Sequence, residues 1–153
     1  MLQIGDRAPE VKLTDQHGSL FQLSALHGKS PVVLYFYPKD DTPVCTKEAC
    51  TFRDRHAEFA GLDAVVVGIS DDDVASHKKF AEEYRLPFTL LSDVDGAARE
   101  AFGLRTLLGF KARATFVIDA EGIIRAVVAD RLNATRHVRE ALAALSGQGL
   151  AKS

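Results

Sequence analysis

Val32-Val33-Leu34-Tyr35-Phe36-Tyr37-Pro38 opens the most informative stretch of the chain, an unbroken run of aliphatic and aromatic side chains that stops at a proline. Such a run, rich in β-branched and aromatic residues and too short for a core helix, reads as a strand buried on both faces. The polar segment Lys39-Asp40-Asp41-Thr42 follows it, and then the pattern changes. Over residues 46–59, Ala49, Phe52, His56 and Phe59 recur three or four apart, with charged Lys47, Glu48, Arg53, Asp54, Arg55 and Glu58 filling most other positions. That spacing predicts an amphipathic helix, ended at Gly61. A buried strand feeding a helix through a short loop is the repeating unit of an α/β fold.

Working outward, residues 64–70 predict a second buried strand, and Asp71-Asp72-Asp73 offer capping carboxylates to a helix running to Tyr84. A short strand at 89–91 and a short helix over 95–102, closed by Gly103, come next. Residues 114–118 and 123–129 flank the turn Asp119-Ala120-Glu121-Gly122 as a hairpin, and Asn133 caps a last helix with Val138, Ala141, Leu142 and Leu145 on one face. Upstream, residues 11–15 alternate like a half-buried strand, and Gln16-His17-Gly18-Ser19 turns the chain into 20–23, an N-terminal β-hairpin. This order predicts an α/β fold with a mixed central sheet and helices on both faces. A thioredoxin-like arrangement satisfies it, and periodicity alone equally allows a small flavodoxin-like sheet.

The chain of 153 residues carries no linker, low-complexity tract or internal repeat, so a single domain over residues 1–153 is expected. Nineteen Lys and Arg against 21 Asp and Glu give a net charge of −2, without a basic run to attract nucleic acid or an anionic membrane. No apolar stretch approaches the roughly 20 residues of a membrane helix. The first residues lack a basic segment followed by an apolar one, so the expected location is the cytoplasm.

Cys45 and Cys50 are the two cysteines. Cys45 falls where strand and loop give way to helix, and unpaired backbone N–H groups in a first turn favour a thiolate. Residues five apart in an ideal helix have Cα atoms about 8.6 Å apart, beyond the ~7 Å that a disulfide spans. A bond between the two therefore requires the helix start to unwind. Two inert buried thiols remain an alternative reading. A metal site lacks paired ligand spacing among His17, His27, His56, His77 and His137, and a Cys-His nucleophile with His56 or His77 as base has no local signature.

The segment ending in Pro38, followed by Thr42-Pro43-Val44-Cys45-Thr46, resembles the Pro-x-x-x-Thr-x-x-Cys active-site motif of peroxiredoxins, and a second cysteine five residues on resembles their bacterioferritin-comigratory, or Q-type, subfamily. The resemblance covers nearly the whole chain, from Gly5-Asp6-Arg7-Ala8-Pro9 through Phe52-Arg53-Asp54, Val67-Gly68-Ile69-Ser70 and Phe88-Thr89-Leu90-Leu91-Ser92-Asp93 to Arg113-Ala114-Thr115-Phe116-Val117-Ile118-Asp119. It implies a thiol peroxidase on a thioredoxin-like fold, working without a cofactor or metal. Cys45 matches the peroxidatic cysteine, which attacks hydrogen peroxide or an alkyl hydroperoxide and becomes a sulfenic acid. Cys50 matches the resolving cysteine, which closes an intramolecular disulfide that thioredoxin or a similar dithiol reduces. Thr42 matches the family hydroxyl, able to bond the thiolate or peroxide, and Arg113 the guanidinium that stabilises negative charge. Pro38 and Pro43 stiffen the loop. Glu48 matches an acidic position that orients Arg113, with a dipole-favoured acid in a first helical turn as its alternative. Family habit implies a monomer.

Two features depart from the family pattern. Q-type sequences commonly carry glycine where Val44 stands, and valine's narrower backbone freedom predicts slower unwinding of the helix start. The segment over 104–112 is short, with Leu107, Leu108 and Phe110 expected to pack in preference to lining the site mouth or forming a dimer contact. A thiol-disulfide oxidoreductase is disfavoured by the absence of Cys-x-x-Cys. A redox sensor or binding module is separated from a peroxidase by turnover.

Overall fold

The computed structural model describes residues 1–104 and 111–147. Strands β1 (Lys12–Asp15), β2 (Leu20–Gln22), β3 (Val32–Phe36), β4 (Val65–Ser70), β5 (Thr89–Ser92), β6 (Ala114–Ile118) and β7 (Ile124–Ala129) form one sheet in the order β2-β1-β5-β4-β3-β6-β7. The central pairs β3–β4 and β4–β5 are parallel; β1–β2, β1–β5, β3–β6 and β6–β7 are antiparallel. The mixed sheet and its N-terminal hairpin match the arrangement predicted from the sequence.

β3 is central because all five of its residues are buried, and their alternation builds both layers of core. Val33 and Tyr35 point into a layer completed by α1 (Pro43–Asp54), α2 (His56–Gly61), α3 (Val74–Tyr84) and α5 (Ala134–Gly147), through Phe52, Phe59, Phe80 and Val138 among others. Val32, Leu34 and Phe36 point into the opposite layer, where Phe102 and Phe116 pack tilted and edge-on about Phe36 beside the short α4 (Ala97–Ala101). Close approach across the sheet fixes one residue type. A Cβ added to Gly68 on β4 would lie 2.8 Å from the Tyr35 ring, which stacks on Phe52 with ring centroids 4.5 Å apart.

The boundaries differ from expectation in instructive places. The helix predicted over 46–59 is two helices, broken at Arg55, and it begins earlier, with Thr42 extended as N-cap and Pro43 at the first helical position. Proline is suited to that position because its missing N–H would be unpaired there anyway. Residue 23 leaves the predicted strand and starts a 3-10 turn, Leu23–Leu26. The helix expected over 95–102 shortens to Ala97–Ala101, because Gly96 takes a left-handed conformation and Asp93 caps the helix through the Ala98 and Arg99 N–H groups. Asp73 and Asn133 do cap α3 and α5, through the N–H groups of Ser76 and Arg136. Leu107, Leu108 and Phe110 lie outside the described residues.

Candidate active site

The register of β3 against β6 brings together residues far apart in sequence. Phe36, at the end of β3, pairs with Ala114, at the start of β6, so the loop leaving β3 meets the residues entering β6. Cys45 and Arg113, 68 residues apart, thereby become neighbours: Arg113 Nη2 donates to Cys45 Sγ at 3.1 Å. Ala129 at the end of β7 pairs with the same Ala114, and the next turn supplies the Arg131 carbonyl that accepts from Arg113 Nε at 3.0 Å. Arg99 completes the support by donating to the carbonyls of Tyr37 and Ala112, at 3.2 and 2.8 Å, tying the end of β3 to the residue preceding Arg113.

Cys45 is the third residue of α1 and is 1% exposed. Its face of the helix continues through Glu48, Ala49 and Phe52, all buried. Glu48 is fully buried and Arg113 is 4% exposed, so neither is a surface charge. Arg113 Nη1 donates to Glu48 Oε1 at 2.5 Å. Because α1 starts at Pro43, Glu48 sits beyond the first turn, and the reading of a dipole-favoured acid in a first helical turn is corrected. Burial pushes its carboxyl up to about 7, against the opposing pull of the Arg113 guanidinium.

Pro38, Thr42, Pro43, Val44, Cys45 and Arg113, with Lys39, Lys111, Arg131 and Leu132, line an open pocket of about 520 Å³. The Thr42 hydroxyl faces the Lys39 carbonyl, to which it donates at 3.0 Å, not the thiol. Cys50 lies in the same helix, half-buried; both cysteines are unbridged. Burial raises the Cys50 thiol's pKa, with Arg53 pulling the other way. As a continuous helix, α1 keeps the pair beyond disulfide reach at the ideal spacing of about 8.6 Å.

The active-site loop has an anchor that sequence reasoning missed. Asp40 accepts from the Tyr37 hydroxyl at 2.5 Å and the Ser76 hydroxyl at 2.8 Å, and lies 2.7 Å from His77 Nδ1. Its own N–H donates to Asp72. His77 Nε2 faces the Leu91 carbonyl at 2.9 Å, so His77 is committed to tying the loop to α3 and β5 and is not a base for Cys45. Asp40, Asp72 and His77 place ligand atoms within 4.8 Å of one another, the one such grouping among the described residues, and hydrogen bonds already engage each of them. No described helix is long and apolar enough to cross a membrane.

Comparison with known proteins agrees with this geometry. Residues 4–127 match the AhpC/TSA family. A chloroplastic peroxiredoxin Q from Triticum aestivum is 46% identical over 140 residues, covering 90% of this chain and 64% of the relative. The chain thus spans slightly under two thirds of that relative's length. A protein named putative peroxiredoxin bcp from Coxiella burnetii is 47% identical over 133 residues, covering 82% of this chain and 87% of the relative. The crystal structure of peroxidoxin BcpB from Mycobacterium tuberculosis superposes with a TM-score of 0.90 at 43% identity, over 96% of this chain and 98% of that one. With a thioredoxin-like sheet, a buried cysteine under an arginine and these relatives, the chain belongs to the AhpC/TSA family of peroxiredoxins, in its bacterioferritin-comigratory or Q-type branch.

Proposed function

We propose that residues 1–153 act as a single-domain thiol peroxidase, monomeric and cytoplasmic, that reduces hydrogen peroxide and alkyl hydroperoxides. The observation that carries this reading is the guanidinium of Arg113, buried and 3.1 Å from the sulfur of Cys45 at the base of an open pocket. A cation fixed there favours the thiolate before reaction, and it faces the oxygen on which charge develops as the O–O bond breaks. The Cys45 thiolate attacks one peroxide oxygen, and the other leaves as hydroxide or alkoxide and takes up a proton. The sulfur, two electrons poorer, is then a sulfenic acid. Pro38, Pro43 and Val44 wall the pocket with apolar surface, which suits the carbon chain of an alkyl hydroperoxide. Thr42 stands at the same wall and reaches an incoming peroxide by releasing the Lys39 carbonyl.

Regeneration follows by thiol exchange. Cys50 attacks the sulfenic sulfur, water leaves, and a Cys45–Cys50 disulfide forms once the first turns of α1 unwind. Thioredoxin or a similar dithiol then reduces that disulfide in two exchange steps. The test is the rate at which the reduced protein consumes one equivalent of hydrogen peroxide, compared with Cys45→Ser and with free cysteine. A wild-type rate orders of magnitude above both supports the reading, and a rate no faster than free cysteine overturns it. With peroxide in excess, Cys50→Ser is expected to be oxidised once and not to turn over with thioredoxin.

A further inference from the structure

Glu48 has one satisfied oxygen and one that is not. Oε1 accepts from Arg113, whereas Oε2, in a fully buried residue, has no hydrogen-bond partner among the described residues. Such an atom is costly unless something else balances it. What faces it is His137 Nδ1 on α5, 3.6 Å away. His137 is itself fully buried, with Nε2 2.7 Å from the Asp130 carbonyl and Nδ1 2.7 Å from the Thr115 hydroxyl. A carbonyl only accepts, so Nε2 carries the ring proton, and in the neutral ring Nδ1 is an acceptor. A Glu48 carboxylate then sets lone pair against lone pair. A Glu48 carboxylic acid turns the same 3.6 Å contact into a donor facing an Nδ1 lone pair that it shares with the Thr115 hydroxyl.

Charge counting says when each form is favoured. Around Glu48 stand Cys45 on its own helix, Arg113 at the start of β6, Tyr35 on β3 and His137 on α5. Arg131 lines the pocket above, and Asp130 and Arg136 act on His137 with opposite sign. With Cys45 as a thiol, Arg113 and a Glu48 carboxylate cancel. With Cys45 as a thiolate, one buried cation faces two buried anions, and a net buried charge is expensive. A single proton on Glu48 restores neutrality. Burial acts in the same direction on both partners, raising the Glu48 pKa and lowering that of His137, which favours an acid facing a neutral ring.

We propose that Glu48 takes up one proton as Cys45 loses one, and holds it toward His137 Nδ1 for as long as the thiolate persists. The balance is one proton out of the thiol and one into the carboxylate, with the net charge of the site unchanged. Glu48 is then the proton reservoir of the reactive state and His137 a positioning residue for it. The proposal rests on Cys45 being the reactive thiolate of the function above, but its test needs no peroxide, so the two can fail separately.

The experiment uses the full chain carrying Cys50→Ser, at the lowest pH, not below about 8, at which the ultraviolet thiolate absorbance of Cys45 is at its plateau, so that Glu48 beside an uncharged residue 45 is ionised. Iodoacetamide converts the thiolate to a neutral thioether and releases iodide, which by itself liberates no proton. With Glu48 as the reservoir, alkylation releases about one proton per molecule into weak buffer. The infrared band of a protonated carboxyl present before alkylation is lost after it. Adding Glu48→Gln abolishes both signals, and adding His137→Phe moves the band to higher frequency by removing its acceptor. No proton release from the alkylated Cys50→Ser protein, or an unchanged carboxyl band in Glu48→Gln, overturns the proposal even if the histidine variant does not fold.

Discussion

Replacing Arg113 by alanine removes three interactions at once: the 3.1 Å contact to Cys45, the 2.5 Å contact to Glu48 and the 3.0 Å contact to the Arg131 carbonyl. Glu48 already titrates as high as about 7 with the guanidinium in place, so without it the carboxyl is neutral through the physiological range. The variant therefore loses a cation beside the sulfur and gains no ionised neighbour. Loss of a donor aimed at the charge that develops on the leaving oxygen costs about 10²–10³-fold, and the first oxidation of Cys45 at neutral pH is expected to slow by that factor. Arg113→Lys keeps a charge but not the fork that reaches sulfur and carboxylate together, so it falls between. Quenched-flow sampling of the sulfenic acid by mass spectrometry at neutral pH reads the deficit, and an unimpaired variant refutes the place of Arg113 in the chemistry.

Glu48→Gln in a Cys45→Ser background tests the burial of the acid. Between about 4.5 and about 7 the native Glu48 is protonated while the unfolded one is ionised, so the native state holds the extra proton and stability falls as pH rises through that window. At about 1.4 kcal/mol per pH unit, the glutamine variant should gain about 3 kcal/mol relative to its parent across it, read by urea unfolding at the two ends; a pH-independent difference counts against it. Gly68→Ala places a methyl group 2.8 Å from the Tyr35 ring, and overpacking against so confined a side chain should destabilise by about 1–3 kcal/mol, seen as a lower urea midpoint with unchanged slope. Val44→Gly loosens the second residue of α1, and disulfide formation from the sulfenic acid, once hydrogen peroxide has produced it, should quicken by a few-fold. Equal disulfide rates would show that helix unwinding does not limit that step.

Most of the architecture is legible in the sequence because buried strands write themselves as apolar runs. Residues 32–37 and 64–70 are the clearest cases, and they form the central parallel pair. What patterning does not contain is register. Nothing local says that Phe36 pairs with Ala114, and without that pairing Arg113 reads as an ordinary charge beside a strand; the family resemblance, not periodicity, singled it out. Glu48 and His137 carried a signal that went unused. On α1 the buried stripe runs Cys45, Glu48, Ala49, Phe52, and on α5 it runs His137, Val138, Ala141, Leu142 and Leu145, so each polar residue occupies a core position of an amphipathic helix. A polar side chain there needs a partner inside. Starting α1 at residue 46 instead of Pro43 displaced Glu48 into the first turn and hid this. Asp40 was passed over because its partners, Tyr37, Ser76 and His77, come from an adjoining strand and a distant helix.

The contact between Arg113 and Cys45 also bears on how the proposed cycle continues. The reduced thiolate and Arg113 attract across 3.1 Å in a buried site, and that attraction holds the first turn of α1 to the start of β6. Oxidation to a neutral sulfenic acid removes that anion and with it the tie between residues 43–46 and Arg113, while the Glu48 carboxylate, a turn further on, keeps the guanidinium. What then remains is the packing of Ala49 and Phe52 and the contact of Glu48 with Arg113, all at or beyond the end of that segment. In the proposed cycle, the step that makes the sulfur a target for Cys50 is also the step that loosens the helix start separating the two. Amide hydrogen exchange at Thr46, Lys47 and Glu48, whose N–H groups close the first turns of α1, reads this directly. In reduced Cys50→Ser protein these amides should be protected, and both the peroxide-treated form and Cys45→Ser should exchange about 10-fold faster or more, since about 1.4 kcal/mol of lost attraction corresponds to a tenfold change in opening. Equal protection in all three would mean that the charge does not hold the helix, and that unwinding must be driven by the disulfide itself.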